Sequence, residues 1–238
     1  MAKNVPEIKG TLRSHMIELP GVIREASGIR VFGKRLKSFL FTTDVAIIKN
    51  TNADAVIAVY PFTPQPVITQ ALVLAADVPV FCGVGGGITT GMRVINLALD
   101  AEFKGAMGVV VNNPTPNEVI SRMRDSLDIP IIVTVVSEFE DIDARIEAGA
   151  TILNVSGAKR TAEIVRKIRE KHPNFPIIAT GGPTNETIKE VIDAGANAIT
   201  YTPPTTGEIL KEIMLGYRDR YEENVDINQE SAVEKEKE

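Results

Sequence analysis

Cysteine, histidine and long apolar runs are all scarce in this chain. Cys82 is the single cysteine of 238 residues, so no intramolecular disulfide forms, and a reducing, cytoplasmic compartment is expected. His15 and His172 are the two histidines, too few for a multi-histidine metal centre. Residues 1–10 contain no apolar segment of the kind a secretory signal carries, and no uninterrupted apolar run approaches the roughly 20 residues of a membrane helix, so no membrane partner is expected. A dense Lys/Arg stripe is also absent and the formal net charge is −5, which argues against nucleic acid as a partner. Carboxylates placed to share a magnesium ion reduce to Asp44 and Glu138, so no tightly held metal is expected.

What is present is alternation. Hydrophobic residues make up 44% and charged residues 24%, an ordinary balance for a globular protein, and the length suits one large α/β barrel. From Lys37 onward, Val/Ile-rich runs at 38–43, 53–60, 78–82, 106–112, 130–136, 151–155, 176–180 and 197–202 read as parallel strands buried on both faces. Amphipathic helical patterns separate them, for example at 66–76, 116–126, 142–148, 161–172 and 208–217. Eight such strand–helix units predict a single (β/α)8 barrel over 37–222. Residues 1–36 are expected as an extension with a short helix within 18–27 and a β-run at 29–32. That run either pairs through a turn at Gly33-Lys34 with 36–41 or lies across the barrel's N-terminal end. Residues 223–238, charged and without periodicity, are expected as a flexible tail.

Within the alternation lies a repeat. Residues 105–115 align without gaps on 195–205, and Glu118 matches Glu208 at the same offset. Pro79, Pro130 and Pro176 each open a strand run, so the chain reads as repeated two-strand units. Two glycine tracts follow the third and seventh strands, Gly83-Val84-Gly85-Gly86-Gly87 and Thr180-Gly181-Gly182-Pro183-Thr184. A glycine turn feeding a helix start offers backbone N–H groups and the positive end of the helix dipole to an anion, best a phosphate; it also serves simply as a tight loop.

In a (β/α)8 barrel the chemistry is carried by loops at the C-terminal ends of the strands. Asp44 is the candidate general base there, with N-capping of the following helix as its other reading. Asn154 faces the reacting end in this reading, and Lys159 with Arg160 offers positive charge to a substrate anion, or a solvated helix start. No lysine falls within the strand runs from Ala53 onward, which disfavours a Schiff-base aldolase and leaves Lys159 as the nearest candidate. Cys82 lacks a histidine to activate it and reads as a small buried residue.

Residues 177–206 resemble the phosphate-binding end of the ribulose-phosphate-binding barrel superfamily. The resemblance implies that Gly181 and Gly182 hold a phosphate together with Thr205 and Thr206, where Pro203-Pro204 replaces the superfamily's glycine-serine turn. Val84-Gly85-Gly86-Gly87-Ile88 is similar to the corresponding segment of the barrels of histidine biosynthesis, which implies a second anion site at Gly85, Gly86, Gly87 and Asn112. Their second carboxylate has no counterpart in Thr134-Val135-Val136. The wider sequence is similar to a bacterial family that carries a provisional hydrolase label. Together these imply an enzyme acting on a small phosphorylated metabolite by isomerase, lyase or hydrolase chemistry, with no cofactor required. Two alternatives stay open: a noncatalytic phosphometabolite sensor, and a barrel that binds flavin mononucleotide (FMN) at the same phosphate site. Helix faces of such barrels also suit a homo-oligomer.

Overall fold

The computed structural model describes residues 6–8, 10–11 and 16–235, with side chains to Tyr221; His15 lies outside the described residues. They form two compact units, one ending at Pro203 and one beginning at Pro204.

The first unit opens with a 3-10 turn at Gly21–Glu25 and a hairpin of β1 (Ile29–Val31) and β2 (Lys34–Leu36). Val31 pairs with Lys34, so the turn residues are Phe32 and Gly33, one position earlier than the sequence suggested. Both have positive φ, 45° and 82°, the conformation that lets a two-residue turn match the twist of its strands. Then follow β3 (Ser38–Phe41), α1 (Val45–Lys49), β4 (Ala55–Ala58), α2 (Pro66–Ala75), β5 (Val80–Gly85) and α3 (Met92–Phe103). They are succeeded by β6 (Gly108–Val111), α4 (Asn117–Arg124), β7 (Ile131–Val135), α5 (Ile142–Ala148), β8 (Ile152–Val155), α6 (Thr161–Lys171), β9 (Ile177–Thr180), α7 (Asn185–Asp193) and β10 (Ala198–Tyr201).

Strands β3 to β10 are parallel and close into a barrel through the pairing of β10 with β3. The fold is therefore the (β/α)8 barrel that the eight alternating units predicted. Three prolines set its repeat. Pro79, Pro130 and Pro176 stand just before β5, β7 and β9, where a missing N–H costs nothing, and their carbonyls accept from Val56, Val109 and Leu153 of the preceding strands at 2.9, 2.9 and 3.0 Å.

The N-terminal half of the lumen is filled by apolar side chains. Phe39 and Phe81 meet edge to face with centroids 5.2 Å apart, and Ile57, Ile132, Ile152 and Ile178 pack with them. Ile29, Val31 and Leu36 of the hairpin join this same cluster. The run thus pairs with 34–36, sharing only Leu36 with the 36–41 partner expected, and its apolar side chains join the cluster inside the barrel.

The second unit is built on α8 (Thr206–Lys235). Residues 223–235, expected as part of a flexible charged tail, continue this helix. No glycine or proline follows Gly216, and Glu, Lys, Arg and Gln abound there, so backbone preference sustains a helix without a regular apolar stripe. Among the described residues no helix is long and apolar enough to cross a membrane.

Candidate functional site

Side chains alternate between lumen and exterior along each strand. Two residues beyond the inward-facing Ile132, Ile152, Ile178 and Ala198 stand Thr134, Asn154, Thr180 and Thr200. The C-terminal layer of the lumen is thus polar on the β7 to β10 side. Asn154 links it: Nδ2 donates to Thr134 Oγ1 at 3.5 Å, and Oδ1 accepts from Thr200 Oγ1 at 3.4 Å. Thr180 Oγ1 donates to Ser156 Oγ at 3.3 Å. Every member is neutral, so the layer orients a ligand by hydrogen bonds and does not by itself ionise one.

On the β3 to β6 side the same rule places Phe41, Val59, Gly83 and Asn112. Here a cleft of ≈ 130 Å³ opens, walled by Val59, Tyr60 and Phe62 and by Ile88 on the glycine loop, with Asn112 at its edge. The first glycine tract begins inside β5, whose last residues are Gly83, Val84 and Gly85, rather than after the strand as expected. The pairing with β6 shifts register between Gly83 and Gly85, which bends the strand end outward.

The structure brings Gly85, Gly87 and Asn112 together around this cleft, with Gly86 buried behind it. It also spends donors that the anion reading required. Gly86 N–H donates to Thr89 O at 3.0 Å and Asn112 N–H donates to Gly85 O at 3.0 Å. Glycine is needed at position 86 for another reason: φ is 99°, and a Cβ would lie 2.6 Å from Asn112 N.

The second tract lies diametrically opposite, since β9 is four strands from β5 in either direction. Gly181 is buried and its N–H donates to Thr200 O at 3.3 Å. A Cβ there would meet Ile199 Cγ2 at 2.7 Å and Ile188 Cγ1 at 2.8 Å, so glycine lets α7 approach β10. Gly182 carries the turn at φ 76°, and Thr184 caps α7 in a reciprocal box with Thr187. Thr205 and Thr206 belong to the second unit, Gly181 and Gly182 to the first. Thr205 gives its N–H and its hydroxyl to Glu208 Oε2 at 2.7 and 2.8 Å, so a carboxylate of the chain already holds the donors assigned to a phosphate. These bonds draw the Glu208 carboxyl below its ordinary range, the Thr205 N–H being the larger cause.

Asp44 takes its capping role: Oδ1 accepts from Ala46 N and Ile47 N at 2.8 and 3.2 Å, at the mouth end of β3. Lys159 stands exposed in a 3-10 turn at Ala158–Arg160. Arg160 pairs with Glu138, whose side chain is only 8% exposed and which also binds Lys167. Cys82 is buried, and burial pushes its thiol up to about 12. His172 lies at the end of α6 beside Asp143, with Nε2 2.8 Å from Oδ1.

Two site residues were not anticipated. Thr200 follows from the alternation that begins at Ala198, a signal present in the sequence. Phe62 carries none, because only the closed barrel turns its loop over the glycine tract.

No family model matches the chain. A thiamine-phosphate synthase of Geobacillus kaustophilus is 30% identical over 115 residues, covering 44% of this chain and 49% of the synthase. The match thus spans about half the length of that curated relative. Among solved structures, a protein of Burkholderia cenocepacia J2315 provisionally described as a phosphonomutase superposes with TM-score 0.60 at 17% identity, over 76% of this chain and 93% of its own. A mandelate oxidase variant with an FMN adduct gives 0.58 at 14%, over 74% and 68%. A phosphonopyruvate hydrolase in complex with oxalate and Mg²⁺ gives 0.57 at 13%, over 79% and 82%. At these identities the likeness establishes the shared barrel, a fold that many unrelated chemistries use. No group of three or more His, Cys, Asp or Glu residues assembles among the described residues.

Proposed function

We propose that the protein is an enzyme acting on a small phosphorylated metabolite at the C-terminal mouth of the barrel. The observation that carries this reading is one continuous polar run. Gly181 N–H binds the Thr200 carbonyl, the Thr200 hydroxyl binds Asn154, and Asn154 binds Thr134. A phosphate at the Gly182 turn would therefore stand next to a layer of hydroxyl and amide groups able to orient the rest of the molecule. The partial likeness to a synthase named for a phosphate ester supports the same ligand class. In this reading Asn154 polarises the reacting group, while Asp44 and Lys159 supply charge from the rim.

Thermal stabilisation by sugar phosphates tests the ligand class. Pro183→Asp places a carboxylate on the exposed turn without entering the Gly181 packing, and it should abolish that stabilisation. Undiminished stabilisation would exclude the turn as the phosphate site.

The neutrality of the lumen layer favours one second reading, a noncatalytic sensor of the same ligand. Asp44→Asn separates the two, because Asn caps helices as well as Asp does and leaves the fold intact. Binding retained with turnover lost supports catalysis, whereas the absence of turnover on any bound phosphometabolite supports sensing.

A further inference from the structure

We infer that the cleft beside the first glycine tract is a subsite for an uncharged, single-ring group of the ligand, and that it is not a second phosphate site. Four observations converge on it. First, no Asp, Glu, Lys, Arg or His is among the residues that line it. Of the backbone N–H groups around it, those of Gly86 and Asn112 are held by the carbonyls of Thr89 and Gly85. Secondly, Val59, Tyr60 and Phe62 wall it on one side and Ile88 on the other, with Thr63 and Thr89 adding hydroxyl-bearing residues to the lining. The Tyr60 hydroxyl is fixed by accepting Gln65 N–H at 2.9 Å, which steadies the loop that carries the wall.

Thirdly, Gly83 and Gly85 line the cleft without side chains, so a flat group can lie against bare backbone. A Cβ on Gly83 would come within 3.0 Å of Val59 Cγ2, and one on Gly85 within 2.6 Å of Val94 Cγ2. Fourthly, ≈ 130 Å³ is the size of one ring, by comparison with the roughly 150 Å³ apolar cavity that accepts benzene. Asn112, at the edge, offers an amide donor and acceptor to a ring heteroatom. Phe62 and Ile88 are 75% and 101% exposed, as rim side chains free to close on a ring would be.

That the ring belongs to a phosphorylated molecule rests on the function proposed above; the ring subsite does not. Three probes keep the two claims apart when titrated into the full chain and followed by amide NMR shifts. Benzyl alcohol carries a ring alone, glycerol 3-phosphate a phosphate alone, and benzyl phosphate both. The expected result is that benzyl alcohol shifts the amides of residues 83–89 and 112, and that benzyl phosphate binds about tenfold more tightly than glycerol 3-phosphate. Phe62→Ala should erase that advantage and leave glycerol 3-phosphate unchanged, with Ile88→Ala as a second exposed variant. The inference is overturned if benzyl phosphate has no advantage, if both phosphates weaken equally in Phe62→Ala, or if benzyl alcohol shifts other amides only. If benzyl alcohol shifts these amides and neither phosphate binds more tightly than it does, the ring subsite stands and the phosphorylated-ligand reading falls.

Discussion

Thr200 reaches past β9 to donate its hydroxyl to Asn154 Oδ1 at 3.4 Å, while its carbonyl accepts the Gly181 N–H at 3.3 Å. One residue thus joins the glycine turn to the polar layer of the lumen. Thr200→Val keeps the shape and the carbonyl but removes the donor. Asn154 Oδ1 would lose its partner, at a cost of about 1 kcal/mol in stability. Binding of a sugar phosphate should weaken more than stability does, because the long Thr134 bond alone then orients the amide. Denaturant unfolding and ligand titration of the same variant measure the two effects. A stability loss with unchanged binding would remove Asn154 from the site.

Gly181→Ala tests whether this glycine serves packing. Its Cβ would sit 2.7 Å from Ile199 and 2.8 Å from Ile188, both fully buried side chains with no room to yield. Overpacking of this kind typically costs about 1–3 kcal/mol. Urea midpoints of wild type and variant should differ accordingly. Equal midpoints would show that the β10 to α7 contact relaxes freely.

The barrel was legible because its signals are local and repeated. Val/Ile runs buried on both faces, each followed by an amphipathic helix, admit few topologies, and the prolines at 79, 130 and 176 mark every second strand. The candidate site was legible only in part. The glycine tracts announced tight backbone, but their chemistry depends on where each N–H goes. Gly86 and Gly181 donate to carbonyls of Thr89 and Thr200, and no spacing rule foretells those pairings. Thr205 illustrates the same limit. A Thr followed three residues later by Glu is a capping box in its own right, and Thr205 gives its N–H and hydroxyl to Glu208 here. Beyond residue 223 the helical path carries no periodic signal, although its backbone preferences favour a helix.

Cys82 should be inert in the native protein. Burial raises its thiol from 9.0 to about 12, which lowers the thiolate population roughly a thousandfold at neutral pH. A chromogenic disulfide reagent should therefore show no reaction with the folded chain and one equivalent after denaturation. Rapid reaction under native conditions would mean that β5 opens locally at the barrel mouth.

The start of α8 should be sensitive to acid. Glu208 has its pKa lowered from 4.5 by the Thr205 N–H and hydroxyl, so its ionised form is favoured in the helix. A carboxyl whose folded pKa lies below its unfolded one contributes stability that is present above the unfolded value and lost as pH falls through the folded value. Helicity measured by far-UV circular dichroism should accordingly differ between wild type and Glu208→Gln near neutral pH. The difference should shrink as pH drops below the ordinary value of 4.5 and vanish once the wild-type carboxyl is protonated. Thr205→Ala, which removes the hydroxyl but keeps the N–H, should lose part of the helicity and move the acid transition upward. A difference that persisted unchanged at low pH would mean that Glu208 supports the helix by packing and not through its charge.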